Sequence, residues 1–302
     1  MAINNRIQSK VLPIEESIAV KEQFGFLPLS IIKPTKESKL RWKEAYFSDN
    51  EIDIRKDCAG YNSDGTIGNQ KMSEFHAGVA ENIIRYWSMN GSIVVDPFAG
   101  RVTRAMVTTK LNRQYFGYEI TPNTYKRSLN HFKKHNVTPT LYNGDGTKLG
   151  NTNNNTADLV FTCPPYFNIE QYESCDNQLS DIRDYNTFMD SMGECVSNVK
   201  RVLKEGAWAI FVVGDFRIGG ELKSFSSDLI QRFKDNDMIH WDTIIMENIS
   251  PFATMTTYQA ACKRYVPKTH EYILVFRKKG EYVVPDYCSV DKIKHKVNDF
   301  FE

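Results

Sequence analysis

The middle of the chain alternates short apolar runs with longer segments in which apolar residues recur every three to four positions. The short runs are rich in β-branched and aromatic residues, which is typical of buried strands, and the longer segments have the helical period. The predicted strands are 92–96, 114–119, 138–142, 158–162, 208–213, 241–246 and 272–277. The predicted helices are 73–88, a segment after the loop 97–100, 121–136, 184–204 and 224–236. Strands that alternate with helices predict an α/β protein with a doubly wound parallel sheet.

Residues that favour helix ends stand beside two of these helices. Ser73 precedes the first helical run and is its predicted N-cap. Gly206 follows the helix 184–204, where a glycine commonly ends a helix. The first 72 residues lack such regularity, so we interpret 1–72 as an N-terminal appendage, 73–280 as the core domain and 281–302 as a C-terminal tail.

Composition and charge exclude several classes of protein. The chain has 302 residues, 41% of them apolar and 25% charged, which is typical of a globular protein and excludes a collagen, a coiled coil or a wholly disordered chain. An apolar run of about 18 residues is missing, so we expect no membrane span. The first residues lack the apolar stretch of a secretory signal, and we expect a cytoplasmic protein. The six cysteines form no C-x-x-C pair, and we expect no metal site.

Acidic residues stand at three consecutive strand ends, Asp96, Glu119 and Asp145. In doubly wound sheets the ligand binds beyond the carboxyl ends of the strands, so these residues are candidate ligand contacts. Glu119 lies about 20 residues beyond the loop glycine Gly100, where dinucleotide folds place a ribose-binding carboxylate. The alternative is that a carboxylate at such a position only caps the next helix.

The fourth predicted strand ends in the sequence Cys163-Pro164-Pro165-Tyr166. Two consecutive prolines fix the backbone and remove two N–H donors, so the carbonyl oxygens of the loop are available as acceptors. The ring of Tyr166 offers a flat face for stacking. Such a loop can hold a planar amine, with the carbonyls accepting its hydrogens and the tyrosine covering its ring. The alternative is a purely structural loop.

The motifs DPFAG (residues 96–100) and CPPY (residues 163–166) together resemble the amino-methyltransferases, the DNA methylases that modify adenine N6 or cytosine N4. The resemblance covers about residues 73–279. Residues 73–88 look like the helix called motif X in that family, and KTHEYILVFRK (268–278) looks like its closing strand. The order of the motifs resembles the gamma-type arrangement, in a branch that we take to be encoded by phages. The resemblance implies a Rossmann-like sheet of seven strands with helices on both faces.

The same resemblance implies S-adenosylmethionine as cofactor and DNA as partner, in a bacterial or phage-infected cell and with a role in restriction-modification. It assigns the cofactor contacts to Phe75, His76, Asp96, Pro97, Phe98, Gly100, Glu119 and Asp145. It assigns the catalytic loop to Cys163, Pro164, Pro165 and Tyr166.

Two departures from the family pattern raise alternatives. Val102 stands where the loop commonly has a second glycine, with Arg101 and Arg104 as unusual neighbours. Cys163 replaces an Asp, Asn or Ser and is a weak acceptor. Cys163 with Glu247-Asn248 also resembles the cytosine C5 methylases, but their nucleophilic cysteine follows the proline. An RNA base methyltransferase and a degenerate protein that binds cofactor or DNA without turnover stay open.

Two segments are candidates for contact with DNA. Residues 167–184 follow the catalytic loop and are interpreted as a wall of the base pocket, with Tyr172 as a second stacking residue. Residues 250–270 mix basic and aromatic side chains, which suits phosphate contact and base stacking. Their candidate residues are Tyr258, Lys263, Arg264 and Lys268. Asp215, at the end of the fifth strand, either orients the target or caps the next helix.

Overall fold

The computed structural model describes residues 20–21, 24, 28–47, 59–61, 67–71, 75–167, 172–248 and 257–281. The predicted N-cap Ser73, nearly all of the predicted tail and parts of the predicted appendage lie outside these ranges. Every helix among the described residues is too short or too polar to cross a membrane.

The described residues form twelve strands. They are β1 (Ile31–Ile32), β2 (Ala59–Tyr61), β3 (Ile67–Lys71), β4 (Ile93–Asp96), β5 (Gln114–Glu119), β6 (Thr140–Asn143), β7 (Ala157–Thr162), β8 (Leu203–Val213), β9 (Phe216–Ile218), β10 (Glu221–Lys223), β11 (Met238–Glu247) and β12 (His270–Lys278). The α-helices are α1 (Lys36–Trp42), α2 (Ala77–Trp87), α3 (Thr103–Lys110), α4 (Pro122–Lys134), α5 (Tyr185–Val202), α6 (Phe225–Asp235) and α7 (Thr257–Lys263). A π-helical turn follows α1 at Lys43–Phe47, and a 3-10 turn spans Leu179–Asp181.

Eight strands form one sheet in the order β1-β11-β12-β8-β7-β4-β5-β6. Strands β4 to β8 pair in parallel, whereas β12 runs antiparallel to both of its neighbours. The chain steps outward from β4 to β5 and β6, and then returns to place β7 on the other side of β4. The doubly wound α/β sheet is therefore confirmed, and its switch point lies between β4 and β7.

Alternate residues of each central strand pack into two hydrophobic cores, one on each face of the sheet. Val94 belongs to the core that packs against α2, α3 and α4, while Val95 belongs to the core that packs against α5 and α6. Phe188 and Phe233 are fully buried in the second core. Strands buried on both faces explain why the sequence shows continuous apolar runs rather than alternation.

Part of the predicted appendage belongs to the core domain. Strand β1 pairs in parallel with β11, Ile31 beside Ile245, and gives the sheet one strand more than the seven expected. Helix α1 packs on α2, where the Glu81 carboxylate accepts a hydrogen bond from Trp42 Nε1 at 2.7 Å and pairs with Arg41. The boundary expected after residue 72 therefore divides elements that pack together.

Two predicted helix ends differ from the structure. Helix α2 begins at Ala77, and its N-cap is His76, whose Nδ1 accepts the Val79 N–H at 3.4 Å. Helix α5 ends at Val202 and β8 begins at the next residue, so Gly206 does not end the helix. Gly206 lies within β8 at φ +73°, where an added Cβ would meet the Glu281 carbonyl oxygen. The hairpin β9–β10 was not predicted, because its strands are only three residues long.

Candidate active site

A cleft of about 820 Å³ opens at the carboxyl edge of the sheet, beside the switch point. Loops that follow β4, β5, β6 and β7 line it, together with the ends of β1 and β11 and the start of β12. The predicted cofactor residues that line the cleft are Phe75, His76, Pro97, Phe98, Gly100, Glu119 and Asp145. All four residues of the predicted catalytic loop line it as well. One cleft thus gathers nearly all the predicted site residues except those of the segment 250–270.

Asp96 is the exception among the predicted cofactor residues, because it lies beneath the cleft and does not line it. The side chain is 0% exposed. Its carboxylate accepts hydrogen bonds from Arg104 Nε at 2.7 Å, Tyr115 Oη at 2.9 Å and Thr162 Oγ1 at 2.6 Å. The Phe98 N–H also donates to it, at 3.2 Å. Asp96 therefore holds the loop that follows β4, rather than presenting its carboxylate to the cleft.

Arg104, whose role the sequence left open, is the buried counter-ion of Asp96. Its guanidinium also donates to the Phe98 carbonyl at 2.5 Å and lies 5.3 Å from the ring centroid of Phe75. A buried charge requires such a partner, since its transfer from water is costly. Burial and the nearby Asp96 raise the pKa of Tyr115 well above its ordinary value, so the tyrosine hydroxyl stays a donor.

The loop after β4 and the turn after β6 form the floor of the cleft. Two glycines and one valine set the backbone of this floor. Gly100 has φ +54°, a conformation that favours glycine. Val102 has ordinary helical angles, φ −68° and ψ −15°, so the valine imposes no backbone strain. Gly146 was missed in the sequence: a Cβ there would lie 1.7 Å from the Pro97 carbonyl oxygen. The turn after β6 thus contacts the loop after β4 backbone to backbone, a contact that the Gly-Asp-Gly sequence alone does not reveal.

Glu119 and Asp145 present carboxylates to the cleft. Glu119 is 7% exposed and accepts the Thr121 N–H at 2.8 Å. Burial raises the pKa of Glu119 to about 7, because the charged form is poorly hydrated there. One oxygen of Asp145 accepts both the N–H and the hydroxyl of Thr147, at 2.9 and 2.6 Å. Both positions suit hydrogen-bond donors on a ligand.

The segment after the catalytic loop lies over the ends of β5 and β6. Tyr172 and Glu173 line the cleft, and Asn123 Nδ2 donates to Glu173 Oε1 at 2.8 Å. The Cys175 thiol lies 3.9 Å from the Ile120 carbonyl oxygen. The described part of the predicted base-pocket wall therefore stands beside Glu119. Glu173, which was missed, has a buried Oε2 that makes no hydrogen bond to any described residue.

The catalytic loop is held at its tyrosine. The Tyr166 hydroxyl donates to Glu271 Oε1 at 2.8 Å, and the Lys268 ammonium lies 5.3 Å from the centroid of the Tyr166 ring. Phe167 is 3% exposed and anchors the loop in the second core. Cys163 packs against the first core. Glu271 was missed as a site residue, because only the fold brings the start of the closing strand to Tyr166.

The predicted DNA-contact residues separate into two groups. Tyr172 lines the cleft and Lys268 lies beside the Tyr166 ring, and Tyr258, Lys263 and Arg264 are farther from the site, outside the cleft lining. Tyr258 is 79% exposed.

Asp215 Oδ1 accepts the Ser226 N–H at 2.9 Å, at the start of α6. This contact favours the capping role over the target-orienting one. Glu247, from the C5-methylase alternative, lines the cleft and pairs with Lys33 at 2.9 Å.

A family model described as DNA methylase, for the N6- and N4-directed enzymes, matches residues 33–130 and 157–300. The chain belongs to this family. No curated protein matches the methylase.

Solved structures that resemble the methylase include three methyltransferase-fold proteins. TrmN from Thermus thermophilus is 10% identical over 68% of this chain and 49% of its own, with a TM-score of 0.47. A SAM-dependent methyltransferase from Methanosarcina mazei is 12% identical over 66% and 98%, with a TM-score of 0.47. A second Thermus thermophilus protein, described as a candidate DNA modification methylase, is 25% identical over 51% and 60%, with a TM-score of 0.35. All three scores lie below 0.5.

Members of the family take their methyl group from S-adenosylmethionine, and the cleft fits that cofactor. Glu173 Oε2 is buried without a donor among the described residues, and the burial of Glu119 penalises its charge. Ribose hydroxyls or an adenine amine would supply donors to such oxygens. Because an added Cβ at Gly146 would clash with Pro97, the floor of this part of the cleft also requires a close backbone approach.

Proposed function

We propose that the methylase transfers a methyl group from S-adenosylmethionine to the exocyclic amine of a base in DNA, adenine N6 or cytosine N4. The observation that carries the proposal is the 2.6 Å hydrogen bond between Thr162 Oγ1 and Asp96 Oδ1. It ties the start of the catalytic loop to the floor of the cofactor cleft. A methyl donor above the floor and an amine held by the loop then meet across the switch point.

On the cofactor side, residues at different positions of the cleft have different roles. Pro97, Phe98 and Gly100 form the floor, while Asp96 holds that floor from beneath and does not touch the cofactor. Glu119 accepts the ribose hydroxyls, Asp145 faces the adenine amine, and Glu173 supplies a further acceptor beside them. Phe75 and His76, which also line the cleft, would contact the methionine portion. The bound cofactor supplies an electrophilic methyl group on its sulfonium.

On the substrate side, the prolines of the catalytic loop fix its carbonyl oxygens. These oxygens accept the hydrogens of the amine and stabilise the positive charge that develops on its nitrogen. Tyr166 stacks on the base, and catalysis comes mainly from positioning for in-line transfer. Cys163 is a weak acceptor, so the Pro164 carbonyl carries most of this role. A base in a duplex must be flipped out to reach this depth.

The DNA would approach over the rim formed by the hairpin β9–β10 and residues 264–268. Arg217 lies 5.6 Å from the ring centroid of Tyr265, which joins these two segments. Lys268 continues the rim to the catalytic loop, and we count Tyr166 and its partner Glu271 as part of this rim. Basic side chains at such a rim suit contact with phosphates.

The test is nucleoside mass spectrometry of unmethylated DNA after incubation with the methylase and S-adenosylmethionine. We expect N6-methyladenine or N4-methylcytosine, and the product names the base. A 5-methylcytosine product would overturn the proposal and make Cys163 a nucleophile. Methylation of RNA alone, or cofactor binding without any product, would overturn it in favour of an RNA enzyme or a degenerate binder.

Two variants test the assignment of the loop. Pro165→Ala and Tyr166→Ala should each lower methyl transfer by about 100-fold or more, because the amine loses its alignment. Both should bind S-adenosylhomocysteine within about threefold of the unaltered protein in calorimetry, a difference below about 0.7 kcal/mol. Full activity in either variant would refute the assignment.

A further inference from the structure

We propose that Glu271 is a positioning residue for methyl transfer, which acts by fixing the ring of Tyr166. The inference rests on the proposed function. Its central observation is the hydrogen bond from the Tyr166 hydroxyl to Glu271 Oε1, at 2.8 Å. A phenol that donates to a carboxylate forms a charge-assisted bond, stronger than one between neutral groups.

The sheet holds Glu271 in place from both sides. Glu271 pairs in register with Met246 of β11, and the next residue, Tyr272, pairs with Val213 of β8. Because β12 runs antiparallel, its first residues stand at the edge where the parallel strands end. A carboxylate on a central strand thus braces a loop that follows β7, two strands away.

Lys268 restrains the same ring from one face. Its ammonium lies 5.3 Å from the ring centroid. An added Cβ at Gly214 would lie 2.1 Å from that ammonium, so the glycine leaves room for the lysine. A target base that stacks on Tyr166 must therefore use the opposite face or displace Lys268. The Glu271 bond fixes the tilt of the ring, and Lys268 limits the side on which the base can stack.

For methyl transfer, the orientation of the target base matters more than the energy with which it is bound. In-line transfer requires the nitrogen lone pair to point at the methyl group, and an error of about 1 Å in such an arrangement costs about 100-fold in rate. Loss of the Glu271 contact should accordingly lower kcat while the affinity for the cofactor stays constant. The floor that holds the cofactor does not include Glu271.

The test is a double-mutant cycle on DNA methylation with Tyr166→Phe, Glu271→Ala and the pair. Each single variant should lower kcat by about 10- to 100-fold. The double variant should lose no more rate than either single variant, because both substitutions remove the same hydrogen bond. Glu271→Gln keeps an acceptor and should recover most of the rate. Glu194→Ala, which removes an exposed carboxylate paired with Lys148, should have no effect. Independent, multiplying losses would overturn the proposal, as would a loss confined to cofactor affinity.

A second measurement does not depend on turnover. In protein labelled with 3-fluorotyrosine, Tyr166→Phe identifies the fluorine resonance of Tyr166. Glu271→Ala should shift or broaden that resonance, while Glu194→Ala should leave it unchanged. An unmoved resonance would overturn the inference even in an active enzyme. Conversely, a shifted resonance in a protein that methylates no DNA would sink the proposed function and leave the contact established.

Discussion

The floor of the cleft and its rim are built in opposite ways. In the floor, Asp96 is 0% exposed and receives side-chain hydrogen bonds from three elements, α3, β5 and β7. On the rim, Tyr166 is half-buried and its hydroxyl donates to Glu271, while an exposed lysine covers its ring. The proposed cofactor half is thus an extension of the core, whereas the proposed substrate half depends on contacts between distant parts of the chain. Damage to the floor should therefore cost stability, and damage to the rim should cost rate alone.

The largest effect should come from the buried ion pair of the floor. Arg104→Met leaves the Asp96 carboxylate buried without its counter-ion, and we expect a loss of about 3–5 kcal/mol in the free energy of unfolding. Urea denaturation measures it. The matched control is Arg85→Met, which breaks a partly exposed pair with Glu81 and should cost at most about 1 kcal/mol. Equal losses in the two variants would contradict the structural role that we assign to the buried ion pair of the floor.

The next effect concerns the backbone contact within the floor. Gly146→Ala places a Cβ 1.7 Å from the Pro97 carbonyl oxygen and must displace the loop. We expect a loss of about 1–3 kcal/mol in stability, from crowding, together with weaker binding of S-adenosylhomocysteine in calorimetry. Gly144→Ala is the control, since a Cβ there meets nothing within 4 Å. If both variants bind alike, the close approach has no functional role.

A smaller, pH-dependent effect should appear at Glu119. Since its pKa is raised to about 7, the affinity for S-adenosylhomocysteine should fall as the pH drops below that value, by up to about tenfold per pH unit. The ionised form is the one that accepts two ribose hydroxyls. Calorimetry between pH 6 and 8.5 (about two units around the pKa) measures this dependence.

Glu119→Gln provides the control for this titration and should bind weakly with no such slope. In the absence of ligand, the pH dependence of the free energy of unfolding has the opposite sign to that of the affinity. The contribution of protonated Glu119 is present below the ordinary pKa of a glutamate and is lost as the pH rises through about 7. A slope that persists in Glu119→Gln would assign the titration to another group.

The smallest effect should follow from restoring the family's second glycine. Val102 already has helical angles, so Val102→Gly relieves no strain and should lower stability by only about 0.5 kcal/mol. Cofactor affinity should change by less than about threefold, or about 0.7 kcal/mol. A large gain in affinity would show that the valine crowds the cleft.

The contrast between floor and rim also explains which features could be predicted from the sequence. Strands 114–119 and 158–162 were placed to within a residue, because short runs of apolar and aromatic residues between polar or proline-containing segments are local signals. Glu119 was predicted from its place at a strand end and its spacing from Gly100, and it lines the cleft. The burial of Asp96 was not, since Tyr115 and Thr162, which bond to it, are far away in sequence.

Several features were missed because they depend on the assembled sheet. Strand β1 has two residues and shows no periodicity, and Gly206 resembles a helix end although it lies inside β8. Glu271 stands in the predicted closing strand, but only the antiparallel direction of β12 brings it to Tyr166. Strand direction is a property of the assembled sheet, which a local pattern does not carry.

The antiparallel direction of β12 also has a consequence for how new specificities can arise. Glu247, the last residue of β11, pairs in register with His270, the first of β12, so residues 248–269 leave and rejoin the sheet at one point. A segment with such closely spaced ends can be exchanged or lengthened without shifting either strand. We therefore expect that chimeras that exchange residues 249–267, and so keep the Lys268 ammonium beside the Tyr166 ring, would change the DNA sequence that is recognised while retaining methyl transfer. A segment that connects two paired strands in this way can vary in length and sequence while the sheet that carries the cleft stays unchanged.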